Sequence, residues 1–109
     1  MPNTKHHYQR VDLENGYLQA TRDDTDEIQD FRINAYLKDG SLVKSVRCMY
    51  NLQYDYKREQ IWKNGVLIKD EILPGHGYGH LQWVLLRTRI LQLMQESTQV
   101  IFVTSVWLS

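Results

Sequence analysis

Two histidines, His76 and His80, stand four residues apart in the stretch Gly75-His76-Gly77-Tyr78-Gly79-His80. Imidazoles at that spacing share a face only on a helix, and Gly77 and Gly79 between them oppose one. The zinc pattern H-E-x-x-H needs Glu directly after the first His, where Gly77 stands. A zinc centre also needs a third ligand; Asp70, Glu71 and His7 are candidates by type, and no spacing ties them to the pair. A metal-dependent hydrolase built on His76 and His80 is therefore the third-ranked reading, and no metal is assigned.

The glycines suggest a different chemistry. A glycine-rich turn between a strand and a helix start can hold an anion through backbone N–H groups and the helix dipole. The dinucleotide fingerprint G-x-G-x-x-G is not matched, and no Gly-Lys-Ser/Thr follows. The stretch reads first as a loop whose glycines permit close backbone approach. Gly75, His76, Gly77, Gly79 and His80 are kept as the site of an alternative function, a homodimeric small-ligand or anion binder.

Other catalytic groupings are weaker. Cys48 is the single cysteine and falls on the apolar side of its strand, which suits a small buried side chain better than a nucleophile. There is no G-x-S-x-G elbow. His6 and His7 lie in a start, residues 1–7, that reads as a mobile tail. Paired carboxylates occur only in Asp23-Asp24-Thr25-Asp26-Glu27, which reads as a solvated connection too wet for a raised pKa. A calcium loop there lacks its glycine and its bidentate Glu. The expectation is a chain with no catalytic residues and no cofactor.

The residues that suit recognition are aromatic. Tyr54, Tyr56 and Trp62 flank Arg58 in the segment 49–62. Aromatics mixed with Arg on a face turned away from the core offer rigid area with hydrogen bonds at its edge. Tyr54, Tyr56, Arg58 and Trp62 are the expected contacts with a partner protein. Asp23, Asp24, Asp26 and Glu27 form a second, acidic contact set.

These groups must be positioned by hairpins. Asn15-Gly16, Asp39-Gly40 and Asn64-Gly65 recur at nearly equal spacing, and each suits a two-residue type I′ turn. Counting outward from such turns, Val11 and Leu13 share a face with Leu18 and Ala20. Phe31, Ile33, Ala35 and Leu37 share one with Leu42, Lys44, Val46 and Cys48. Ile61 shares one with Val66, Ile68 and Ile72, while Tyr56, Arg58, Gln60 and Trp62 lie opposite and meet Leu67 and Lys69. Each hairpin thus has one apolar and one polar face, as an antiparallel sheet covered on one side should.

A helix is expected from Tyr78 or Gly79 to Ser97. Trp83, Leu86, Ile90, Leu93 and Met94 form its sheet-facing stripe. Leu81, Val84, Leu85 and Leu91 form a second apolar side that needs cover from the N-terminal hairpin or another chain. Arg87 and Arg89 read as solvated edges. Residues 100–108 are apolar on both faces and read as a final buried strand.

The fold class is α+β: an antiparallel meander of about six strands, one C-terminal helix on the sheet, and a last strand returning to it. At 109 residues, with 42% apolar and 24% charged side chains, the chain is one ordinary domain, 1–109. Lys plus Arg equals Asp plus Glu, at 13 each. That balance opposes general nucleic-acid binding and electrostatic membrane attachment. With no signal-like apolar start and no span-length apolar run, a cytoplasmic location is expected. The leading expectation is a small non-enzymatic protein that occludes a partner protein, as an inhibitor, immunity-type or escort protein would. A homodimer through the helix, 80–97, or the strand, 100–108, is a further expectation.

Overall fold

The computed structural model describes residues 5–77 and 82–96, with side chains of the helix from Val84 onward. Six strands follow in order: β1 (Lys5–Leu13), β2 (Gly16–Asp24), β3 (Ile28–Leu37), β4 (Leu42–Asn51), β5 (Tyr56–Lys63) and β6 (Val66–Pro74). Helix α1 (Gln82–Gln95) comes next. Every strand pairs antiparallel with its sequence neighbour, in the order β1-β2-β3-β4-β5-β6. The expected final strand, 100–108, and Gly79, His80, Leu81 and Trp83's side chain lie outside this description. The α+β meander with a helix across one face stands.

Helix α1 lies over β3 and β4. Leu86, Ile90, Leu93 and Met94 are buried against Phe31, Ile33, Val46 and Cys48, with Leu18, Ala20, Ala35, Tyr50 and Ile61 completing the core. The inward parity expected of Leu18, Ala20, Phe31, Ile33, Ala35, Val46, Cys48 and Ile61 produces this face. Leu91, expected on the second apolar side, packs against the core. Val84 and Leu85 stay 40% and 43% exposed, so the N-terminal hairpin does not cover them.

Two of the three turns differ from expectation, each for a local reason. Only Asn64-Gly65 has positive φ at both residues, 50° and 80°, as a type I′ turn requires. In the first hairpin Leu13 pairs with Gly16, which places the turn at Glu14-Asn15 and offsets the pairing by two. The shift is even, so the faces are unchanged. Gly16 serves the next strand instead: a Cβ there would sit 1.9 Å from the Tyr36 carbonyl oxygen. In the second hairpin Gly40 alone has positive φ, and its N–H donates to the Leu37 carbonyl. The ladder then slips between Ala35 and Tyr36, so that Tyr36 pairs with Leu42. Leu42 therefore leaves the face of Lys44 and Val46, contrary to its expected place, and Val43 packs on the core.

A second irregularity at Ile61/Trp62 pairs Ile61 with Lys69 and Trp62 with Leu67. Lys69 thus falls on the helix side and Ile72 on the opposite side, beside Arg58, reversing both expectations. A bulge adds one residue to one strand, and a one-residue slip exchanges faces.

Residues 5–7, expected in a mobile tail, belong to β1; the rest of that expected tail, 1–4, lies outside the described residues. Lys5 pairs with Asp24 and His6 with Asp23, and the His6 ring contacts the Asp23 carboxylate at 2.5 Å. Asp23 and Asp24 are strand residues of β2 for the same reason. The connection is reduced to Thr25-Asp26-Glu27, and Thr25 shapes it: its hydroxyl accepts the N–H groups of Glu27 and Ile28.

Candidate functional site

Two buried charges fix the helix to the sheet. Lys44 of β4 is 4% exposed, and its Nζ donates to the carbonyls of Leu93 (2.5 Å), Met94 (3.3 Å) and Glu96 (2.5 Å). The last turn of α1 contains no basic residue, so Lys44 supplies the cation that a helix C-terminus favours. Burial, with help from nearby Lys63 and against the pull of Glu96, lowers the Lys44 pKa. Glu59 of β5 is 5% exposed and accepts from Arg89 of α1 at 2.7 and 3.1 Å and from Lys69 at 3.0 Å. Burial alone would raise its pKa; the hydrogen bonds and charges of Arg89 and Lys69 outweigh this and hold it below the usual range. Arg89 is therefore a docking residue and not a solvated edge.

The glycine-histidine stretch is held by Asp55. The Gly75 N–H donates to the Asp55 carbonyl at 2.9 Å, and the Gly77 N–H reaches both carboxylate oxygens at 3.0 Å. A Cβ on Gly75 would lie 2.2 Å from the carboxylate. Tyr50 donates its hydroxyl to the same carboxylate. The Tyr50 hydrogen bond, then the Gly77 N–H, keeps Asp55 acidic, while burial and the bond to Asp55 push the Tyr50 phenol up to about 12. Gly75 and Gly77 thus serve a close backbone approach, and the Gly77 N–H that an anion would use is already committed. His76 is exposed with φ of 63°. Among the described residues no group of three or more His, Cys, Asp or Glu is placed to hold a metal. Cys48 is fully buried, and burial, reinforced by Glu59, pushes its thiol up to about 12.

The side of the sheet away from α1 has no described element upon it. The pairing registers map it into rows. One row runs Tyr17–Tyr36–Leu42, and the next Arg10–Gln19–Asn34–Ser45–Trp62–Leu67. Within them Tyr17, Tyr36, Leu42, Trp62 and Leu67 make an aromatic and apolar belt, interrupted by Gln19, Asn34 and Ser45, near the 38–41 and 64–65 turns. Tyr17 and Tyr36 stack with centroids 4.8 Å apart, and the Arg10 guanidinium lies 4.0 Å over Tyr17. A groove of about 280 Å³ opens between Leu42, Trp62, Arg32, Asn34, Ser45 and Arg47.

The following rows are ion-paired. Asp30 accepts from Arg47 Nε and Nη2 at 2.9 and 3.0 Å and from Arg32 at 3.5 Å, and Arg47 Nη1 donates to Gln60 at 3.3 Å. Arg58 and Asp70 form a two-pronged pair at 2.9 and 2.8 Å. The Arg58 hydrogen bond lowers the Asp70 pKa, and Asp70 in return raises that of Arg58.

The expected contact residues are divided by this geometry. Arg58 and Trp62 lie on the open face, with Asp23 in the row of Arg58. Tyr56 is on the same face at the far end of β5, and Tyr54, 69% exposed, stands in the adjoining loop. Asp26 and Glu27 lie at that far end too, where the Leu52 N–H donates to the Glu27 carbonyl. Asp24 points to the helix side and pairs with Arg22 at 2.5 Å. The Tyr17–Tyr36–Arg10 stack was missed, although its parity, opposite to Leu18 and Ala35, was readable.

Compared with protein-family models, with characterised proteins and with solved structures, the chain matches none. No described helix is long and apolar enough to cross a membrane.

Proposed function

We propose that this chain is a non-enzymatic binding protein whose open sheet face seats, and thereby occludes, another protein. The observation that carries the reading is the belt of Tyr17, Tyr36, Leu42 and Trp62 lying beside arginines already matched by Asp30 and Asp70. Aromatic area with satisfied polar groups around it is the anatomy of a protein-binding hot spot. The same pairing opposes nucleic acid, because Arg47 and Arg58 are neutralised within the chain. Cys48 and Tyr50, which among the described residues have the largest shifts, are buried and pushed toward their protonated forms, which suits neither as a nucleophile. An inhibitor, an immunity-type protein or an escort acting in the cytoplasm fits this anatomy.

The test is affinity capture from a lysate of the source organism with the wild type and Trp62→Ala. Truncating a hot-spot Trp costs about 2 kcal/mol or more, roughly a thirtyfold loss of affinity. A partner held by the wild type and lost by the variant supports the reading. A set of partners unchanged by Trp62→Ala makes the aromatic belt a device of sheet stability alone.

A further inference from the structure

Strand β6 is an outer strand, and no described strand pairs with its free side. Outer strands ordinarily carry few exposed apolar side chains, because an open backbone edge invites pairing. β1, the opposite edge, comes closer to that rule: Lys5, His6, His7, Gln9 and Arg10 line it beside Tyr8, which is 57% exposed. β6 does not: Val66 is 62% exposed, Leu67 48%, Ile68 54% and Ile72 65%.

The sequence of this edge is self-complementary. Residues 67–73 read Leu-Ile-Lys-Asp-Glu-Ile-Leu. Read antiparallel against itself about Asp70, Lys69 meets Glu71 and Ile68 meets Ile72. Apolar residues meet apolar residues, and the two charges flanking the centre meet opposite charges. Like-charged cross-strand pairs oppose such pairing and unlike ones favour it. The central Asp70 carboxylate is held by Arg58 in each copy, which offsets the meeting of two aspartates. Lys69 and Glu71 both point to the helix side, so a two-fold axis perpendicular to the sheet brings them together. The bulge at Ile68 sets Ile72 against Leu67 as well as Ile68, all three apolar.

We propose that the occupant of this edge is a second copy of the chain, joined β6 to β6 antiparallel about Asp70. The result is one continuous sheet twice as wide, with both helices on the same side. A symmetric strand addition of this kind is isologous and closes at two copies. Both open faces remain uncovered, so the dimer is independent of the partner-binding reading, and either can fail without the other.

The test uses the full chain in analytical ultracentrifugation at about 100 µM, with folding followed by circular dichroism. The wild type sediments as a dimer; Ile72→Asp and Glu71→Lys, at exposed positions, keep the fold and shift the species to monomer. Register is read by cysteine substitution, Cys48 being buried. Directly opposed residues lie about 4.5–5.5 Å apart between Cα atoms, within disulfide reach. Asp70→Cys therefore yields a covalent dimer on oxidation. Leu67→Cys does not, since its two copies lie about 20 Å apart in this register. A monomeric wild type overturns the proposal and makes the central charges a guard against association. So does a dimer that survives Ile72→Asp, or one that cross-links through Leu67→Cys as readily as through Asp70→Cys.

Discussion

Under α1, the charged side chains of the sheet reach the helix: Lys44 meets its C-terminal carbonyls and Glu59 meets Arg89. On the opposite face Asp30 pairs with Arg47 and Arg58 with Asp70 within the sheet, and the aromatics beside them have no described neighbour above. The two faces belong to the same strands and alternate residue by residue. The difference teaches that on the covered face buried charge fixes where the helix sits, whereas on the open face paired charge leaves aromatic area accessible. Substitutions on the two faces should therefore differ in kind. Loss of stability should follow changes under the helix, and loss of binding should follow changes opposite it.

The sharpest contrast comes from the core. Phe31 is fully buried beneath α1, and Phe31→Ala should cost about 3–5 kcal/mol in urea unfolding. Glu59→Ala should follow at about 2–3 kcal/mol, below the roughly 3–5 of wholly buried pairs because Arg89 is 41% exposed and regains water. Glu59 also predicts an acid limb. Its folded pKa lies below the ordinary 4.5, so between those values the unfolded chain binds more protons and stability rises with pH. Its contribution is present above about 4.5 and is lost as pH falls through the folded value. Glu59→Gln should flatten that limb in pH-dependent unfolding. The smallest effect belongs to the open face, where Tyr36→Ala removes one stacked ring and should cost about 1 kcal/mol. Equal costs for Phe31→Ala and Tyr36→Ala would erase the distinction between the faces.

Much of this arrangement was legible in the residues. Alternation placed Phe31, Ile33, Val46, Cys48 and Ile61 inward, and of the expected helix stripe Leu86, Ile90, Leu93 and Met94 are buried, Trp83's side chain lying outside the described residues. Face assignment survives even shifts of register, which is why the first hairpin was right despite its displaced turn. Odd slips are another matter. The irregularities at Ala35/Tyr36 and Ile61/Trp62 moved Leu42, Lys69 and Ile72 to the other side, and no residue type announces such a slip. The buried charges were half visible: Lys44 and Glu59 occupy inward positions, but only the crossing of α1 shows what they meet. Asp55 gave no signal, since its role depends on a loop twenty residues later folding back onto it. The site residues scattered because Tyr54, Asp26 and Glu27 share one end of the sheet while Trp62 stands toward the other.

The central claim, that the open face is the one a partner occupies, is tested most directly by hydroxyl-radical footprinting of the chain with and without its captured partner. Tyr36, Leu42 and Trp62 should lose reactivity in the complex while Val84 and Leu85, exposed on the outer side of α1, keep theirs. Protection of Val84 and Leu85, with Tyr36, Leu42 and Trp62 unchanged, would contradict the account and assign recognition to the helix.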